Sequence, residues 1–302
     1  MLIFKETLYM STAKAIKGYI YVIASAIIYG FMPLLAKLIY QNGVNPMTLV
    51  LLRNLLSIPV IALMAGVKKE SLVIKMSHVP PLAVTTLFGA CLTSVLLFTA
   101  YQYIDTGTAT VFHFIYPAFV VLLEAFVLKK GVTKGNLAGL LLCVIGICMF
   151  YTPGKELNVT GSVIALLSGV TYAVYVMFIT VLKGKGLSQS AVNFYLSLFS
   201  SVILFVICCT GGFLSLPINF KGWIYTFAFA AIINAGAVSL FQHGTFIIGG
   251  QRSSILSTFE PAVSVLVGWA ILKESLTVAS IVGVVFVIAS VFVILNNKNK
   301  EM

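Results

Sequence analysis

The chain has 302 residues, of which 60% are hydrophobic and only 9% charged, with a mean hydropathy of +1.07. An ordinary soluble domain carries about 25% charged residues, so the composition excludes a soluble enzyme and makes the bilayer the solvent. The formal net charge of +11 does not point to nucleic acid, because no basic face with interleaved aromatics stands outside the apolar stretches.

A membrane span needs about 20 mostly apolar residues. In chain order the sequence predicts ten: 18–38, 47–66, 81–103, 107–128, 135–152, 161–182, 190–210, 222–246, 252–272 and 277–295. Short polar or Gly/Pro runs such as Asn42 to Pro46 and Thr152 to Lys155 separate them. The first span resembles a signal peptide only superficially, since it is long and contains Pro33 and Lys37. The expected organisation is a cytoplasmic segment 1–17, a five-helix repeat 18–152, an outer linker 153–160, a second five-helix repeat 161–295 and a cytoplasmic tail 296–302. The fold class is therefore an all-α membrane protein of ten transmembrane helices in two inverted five-helix repeats.

The repeat is visible residue by residue. Gly18, Ser25 and Tyr29 recur as Gly161, Ser168 and Tyr172, and Ile104, Pro117, Leu128 and Gly139 recur as Ile248, Pro261, Leu272 and Gly283. A copy with an odd number of spans, inserted twice, enters the bilayer in opposite senses, with a substrate site expected near midplane where the halves meet. Of the 19 lysines and arginines, Lys37, Lys155, Lys221 and Lys273 fall outside, Arg53 lies within a span and the rest fall inside. The positive-inside rule then places both termini in the cytoplasm of a multi-pass cell-membrane protein, with anionic lipid headgroups as partners of the basic loops.

Polar groups inside spans need a reason, because a charge at the bilayer centre costs about 3 kcal/mol. In the ninth span Ser253, Ser257, Glu260 and Ser264 share one helical face, which suits a cavity or a tight helix contact. On the fourth span the matching face is Ala109, His113, Tyr116, Val120 and Glu124. Pro117 and Pro261 follow the central residues directly and make a paired hinge, or simply shape packing. Glu260 is the candidate for a cationic group or a proton, against a protonated carboxyl bonded to a neighbouring helix. Glu124, near the span end, is expected to snorkel or pair with Lys129 or Lys130. Arg53 sits roughly 9 Å below the outer surface at 1.5 Å per residue, either snorkelling outward or binding an anionic substrate group. Tyr29 and Tyr172 are expected to line the cavity, or to stack at helix crossings, with Tyr101, Gln102, Asn234 and Gln242 as further lining candidates. His113 is the neighbour of Arg53 or a satisfied helix contact. Cys91, Cys143, Cys148, Cys208 and Cys209 all fall within spans, with no metal-type spacing.

These features resemble the EamA-type branch of the drug/metabolite transporter superfamily. Phe259-Glu260-Pro261 and Glu274-Ser275-Leu276-Thr277 match its second-half pattern, whereas Tyr116 and Lys129-Lys130 break the pattern in the first half. The resemblance covers Gly18 to Leu295. It implies a carrier with a central cavity formed by spans 1, 3, 4, 6, 8 and 9, exporting amino acids, metabolites or drugs.

The sequence thus reads as a secondary transporter moving small metabolites by alternating access, with a multidrug or lipid translocator as the alternative. No G-x-x-x-x-G-K-[ST] motif supplies ATP drive. Asp105-Thr106-Gly107 echoes aspartic proteases, but its repeat equivalent Gly249-Gly250-Gln251 lacks the second acid such chemistry needs, and Asp105 reads better as a helix N-cap. No cofactor is expected. A small-molecule substrate, lipids and a coupled proton are the expected partners, with monomer and homodimer both open.

Overall fold

The computed structural model describes residues 12–104, 106–129, 131–149, 158–272 and 278–297. Among them every regular element is helical. Among the described residues, seven helical stretches are long and apolar enough to cross a membrane: Lys14–Tyr40, Pro46–Lys68, Met76–Tyr103, Val159–Gly184, Gln189–Thr210, Phe220–Ile248 and Gly250–Ile271. Shorter apolar helices run over Tyr116–Phe126, Lys134–Gly146 and Ile281–Ser290. The fourth and ninth expected spans are both interrupted. Helix α6 (Thr106–His113) stops two residues before α7 (Tyr116–Phe126), and α13 (Gly250–Leu256) stops two residues before α14 (Phe259–Leu272). The breaks lie one residue before Pro117 and two residues before Pro261, and a proline's missing N–H and ring bulk disfavour a continuous ladder there. The acid at position 105, read as an N-cap, lies outside the described residues.

Helix starts follow the polar punctuation. Asn45 caps α3 (Pro46–Lys68) by accepting from the Thr48 N–H at 2.8 Å. Ser188 caps α10 (Gln189–Thr210) by accepting from the Ala191 N–H at 3.1 Å. Asn158 caps α9 (Val159–Gly184) in the same way at 3.0 Å. Each cap removes one orphan donor of the first turn.

Packing repeats with the halves exchanged. Helix α1 (Thr12–Gly30) lies on α12 (Val238–Ile248), and α9 lies on α5 (Ser94–Tyr103). Helix α3 pairs with α10, and α8 (Lys134–Met149) with α15 (Val278–Asn297). Small residues set the close approaches, as expected where lipid supplies no hydrophobic drive between helices. A Cβ on Gly18 would lie 2.7 Å from Ile248, and one on Gly161 would lie 2.7 Å from Tyr103 and 2.8 Å from Ile104. One contact is therefore made twice, 143 to 144 residues apart. Leu63, Val67, Leu122, Phe126, Phe205 and Phe292 point outward as an apolar surface.

Two π-helical segments also match. They span Thr86–Thr93, between α4 (Val79–Thr85) and α5, and Ala230–Ala237, between α11 (Phe220–Phe229) and α12. The wider i→i+5 turn loosens the backbone ladder, and side chains take up carbonyls there. Thr93 Oγ1 donates to the Phe88 carbonyl at 2.6 Å, Asn193 Nδ2 to Asn234 at 3.1 Å and Ser25 Oγ to Ala237 at 2.8 Å.

Candidate functional site

Between the halves lies a cavity with about 710 Å³ of space between its wall atoms, opening included. The first half contributes Tyr29, Arg53, Asn54, Gly89, Thr93, Ser94, Phe98, His113 and Tyr116. The second contributes Tyr172, Tyr175, Asn193, Leu196, Ser197, Asn234 and Glu260. Both π-helical segments face it.

One wall is aromatic. The Tyr116 and Tyr172 rings meet edge to face at 4.7 Å, and Tyr172 stacks on Tyr175 at 5.2 Å. His113 packs against Tyr172 at 5.3 Å, while its Nδ1 shares a 2.8 Å hydrogen bond with Ser168 Oγ. Helix α9 can come this close because residue 169 is glycine: a Cβ there would lie 2.5 Å from the His113 carbonyl oxygen. A Cβ on Gly89 would run into the Tyr175 ring, so the first π-helical segment must be bare at that point.

Another part of the wall is polar. Asn234 Nδ2 donates to Ser57 Oγ at 2.7 Å and Ser197 Oγ at 3.1 Å, and Asn193 Nδ2 reaches Ser239 Oγ at 3.0 Å. These groups bind α3, α10 and the second π-helical segment together. Beside them Arg53 is 7% exposed, donates to Ser94 Oγ at 2.8 Å and lies over the Phe98 ring at 5.6 Å. It is a wall residue and does not snorkel.

Of the residues singled out from sequence, Glu260, Tyr29, Tyr172, His113, Tyr116, Arg53 and Asn234 come together here. Gln242 lies behind the wall, where its Nε2 donates to the Tyr175 hydroxyl at 3.0 Å and its carbonyl accepts from Gln189 at 3.1 Å. Ser257 turns back to the Ser253 carbonyl at 2.8 Å, and Tyr101 packs on Phe98 at 5.9 Å. Ser264 marks a helix contact, donating to the Gly30 carbonyl at 3.1 Å. Glu124 does not snorkel as expected: it is 1% exposed and accepts from Thr180 Oγ1 at 3.2 Å. The bare backbone of Gly250 leaves the space that its carboxylate fills. The expected cavity spans omitted the second and seventh, yet Arg53, Asn54, Asn193 and Ser197 stand on them.

At the lysine-rich end, the halves are tied by the connection after α3. Glu70 accepts from the Ser190 N–H at 3.0 Å, Ser188 Oγ donates to the Ser71 carbonyl at 2.8 Å, and His243 Nε2 lies 3.8 Å from Glu70. Partial burial pushes the Glu70 carboxyl up. The Ser190 hydrogen bonds, with His243 and Lys68 nearby, outweigh it and hold the group below the usual carboxylate range. A depressed carboxyl stabilises the fold above its unfolded value, and that contribution fades as pH falls through the folded value. Glu70→Gln is therefore expected to cost about 1 kcal/mol at neutral pH and progressively less in acid, read as thermal midpoint against pH in detergent. At the other end Asn45 Nδ2 donates to the Phe213 carbonyl at 2.6 Å and the Ile218 N–H to Asn42 at 3.1 Å.

A model of the EamA-like transporter family matches residues 16–152 and again 159–296. An uncharacterized transporter of Clostridium kluyveri is 22% identical over 288 residues, covering 90% of this chain and 91% of that protein. An uncharacterized inner membrane transporter of Salmonella typhimurium is 25% identical over 294 residues, covering 92% and 95%. One crystal structure superposes with a TM-score of 0.76 over 92% of this chain and 98% of its own, at 16% identity. That likeness bears on the fold.

Proposed function

The chain belongs to the EamA-like transporter family, and we propose that it works as a secondary carrier that exports small amphipathic metabolites, amino acids or similar compounds, by alternating access. Its ten spans form two inverted five-helix repeats, 18–152 and 161–295, with both termini in the cytoplasm. The exchanged helix contacts support this reading, as do the matched breaks before Pro117 and Pro261. The observation that carries it is a cavity whose wall draws on both halves. Cross-half ties exist at both ends, through Glu70 with Ser190 and through Asn45 with Phe213. Opening one set while the other holds would expose the cavity to one side at a time.

The two helix breaks serve as hinges because the interrupted ladder at 114–115 and 257–258 lets the flanking segments tilt. Cells overexpressing the chain and challenged with toxic amino acid analogues are expected to survive concentrations that kill controls. Unchanged tolerance across a broad panel of amino acid and metabolite analogues, with the protein present in the membrane, would overturn the export reading.

A further inference from the structure

The joint between the halves is built twice, once at each end, and the two copies differ in charge. Asn45 and Ser188 stand 143 residues apart. Each caps its own helix and also bonds a carbonyl of the opposite half, Asn45 reaching Phe213 at 2.6 Å and Ser188 reaching Ser71 at 2.8 Å. Glu70 and Phe213 are again 143 residues apart. At the Phe213 end neutral groups complete the joint: Thr48 Oγ1 donates to the Phe213 carbonyl at 2.9 Å and accepts from the Ser215 N–H at 2.9 Å.

At the lysine-rich end a carboxylate takes that place. Glu70 accepts from the Ser190 N–H in the first turn of α10, one of the donors that a helix start leaves unpaired, and so caps that helix from the other half. His243 Nε2 faces the carboxylate at 3.8 Å, within ion-pair range but too long for a hydrogen bond. Its repeat equivalent is Thr99. Glu70 is 24% exposed and His243 26%, so protons reach both from that face. Among the described residues, the other titratable groups bordering the pair are Lys68, near both, and Tyr21, whose ring meets His243 edge to face at 5.7 Å.

Resting on the carrier reading, we propose that Glu70 and His243 form a proton site outside the cavity, where one proton on the imidazole makes the contact an ion pair and locks the lysine-rich end shut. With His243 neutral, the Ser190 bond holds Glu70 without that added charge. The carboxylate is held below the usual carboxylate range, so it stays ionised while a histidine titrates. The lock therefore tightens as pH falls through the histidine range and fails only in stronger acid, when Glu70 is itself protonated. The opposite joint has no such pair and does not respond. Acid at the lysine-rich face thus biases the carrier towards opening at the other end. The proton enters and leaves on one side, so it supplies no drive and acts apart from Glu260.

The test needs no substrate. The full-length chain in nanodiscs, its five cysteines replaced by alanine, carries spin labels across one end or the other at exposed positions: Val73→Cys with Lys185→Cys, or Gln41→Cys with Leu216→Cys. Label distances are measured from about pH 8 to about pH 5, the range in which histidine ordinarily titrates. The open-to-closed ratio at the lysine-rich end is expected to fall about fivefold, equivalent to about 1 kcal/mol, while the opposite pair stays unchanged. Glu70→Gln and His243→Gln should each abolish the shift, and NMR of the histidine rings should show His243 titrating in step with it. No shift at the lysine-rich end, an equal shift at both ends, or a shift that survives either substitution would overturn the proposal. The carrier reading is judged apart, by the analogue tolerance of cells, which this measurement does not use.

Discussion

Replacing Glu260 with glutamine (Glu260→Gln) is expected to remove the pH-dependent component of transport in proteoliposomes and to weaken substrate binding about 10- to 100-fold. The second figure follows from losing a hydrogen bond to a charged group, about 1.5–3 kcal/mol. The carboxyl group reaches the cavity from the first turn of α14, immediately after the break before Pro261. A proton and a substrate ammonium cannot both occupy it, so the two compete. That competition gives a carrier without a nucleotide site a means to couple export to a proton gradient. Transport whose rate changes with pH in Glu260→Gln as it does in the parent would show that the coupling resides elsewhere.

The second large effect is expected at a position with no chemistry. Gly169→Ala would place a Cβ 2.5 Å from the His113 backbone oxygen, and a backbone atom cannot rotate away. Helices α6 and α9 must separate, straining the Ser168 hydrogen bond and the Tyr172 ring contacts with His113 and Tyr116. Overpacking of this kind costs about 1–3 kcal/mol, so the thermal midpoint in detergent should drop and ligand affinity fall with it. Gly66→Ala is the control, since nothing lies within 4 Å of a Cβ at that helical position. It is expected to be neutral or stabilising by up to about 1 kcal/mol. A Gly169→Ala protein as stable as Gly66→Ala would mean that the helix contact yields freely.

How much of this was legible in the sequence depended on the kind of signal. Gly18, Gly161, Pro117 and Pro261 announce themselves because helix contact and helix interruption each demand a residue type, and a duplicated residue type is visible by eye. Facing was harder. Arg53 allowed two readings from its depth alone, and only the fold turns it onto Ser94 and Phe98 instead of the headgroups. Glu124 misled because its place near a span end suggested snorkelling, whereas the open space at Gly250, distant in sequence, accommodates it inside. Asn54 and Asn193 fell outside the expected site because single amides on uniformly apolar spans carry no periodicity to say which way they point, whereas Asn234, a lining candidate from the sequence, does border the cavity. For Asn193 the signal lay in the backbone, where the carbonyl of Asn234 in the π-helical segment takes its side-chain donor.

The two π-helical segments share length but not composition. Thr-Leu-Phe-Gly-Ala-Cys-Leu-Thr and Ala-Ala-Ile-Ile-Asn-Ala-Gly-Ala agree at no position, yet each has eight residues in the same place in its half. The one-residue drift between the halves falls earlier, between the helix starts at Asn45 and Ser188 and those at Lys75 and Asn219. What the halves hold in common there is a residue count. A single-residue deletion within 86–93 closes the wider i→i+5 turn and shifts Leu97 and Phe98 relative to the preceding helix. Besides substitution at Gly89, the vulnerable mutations in these spans are therefore insertions and deletions, which a scan confined to substitutions would pass over.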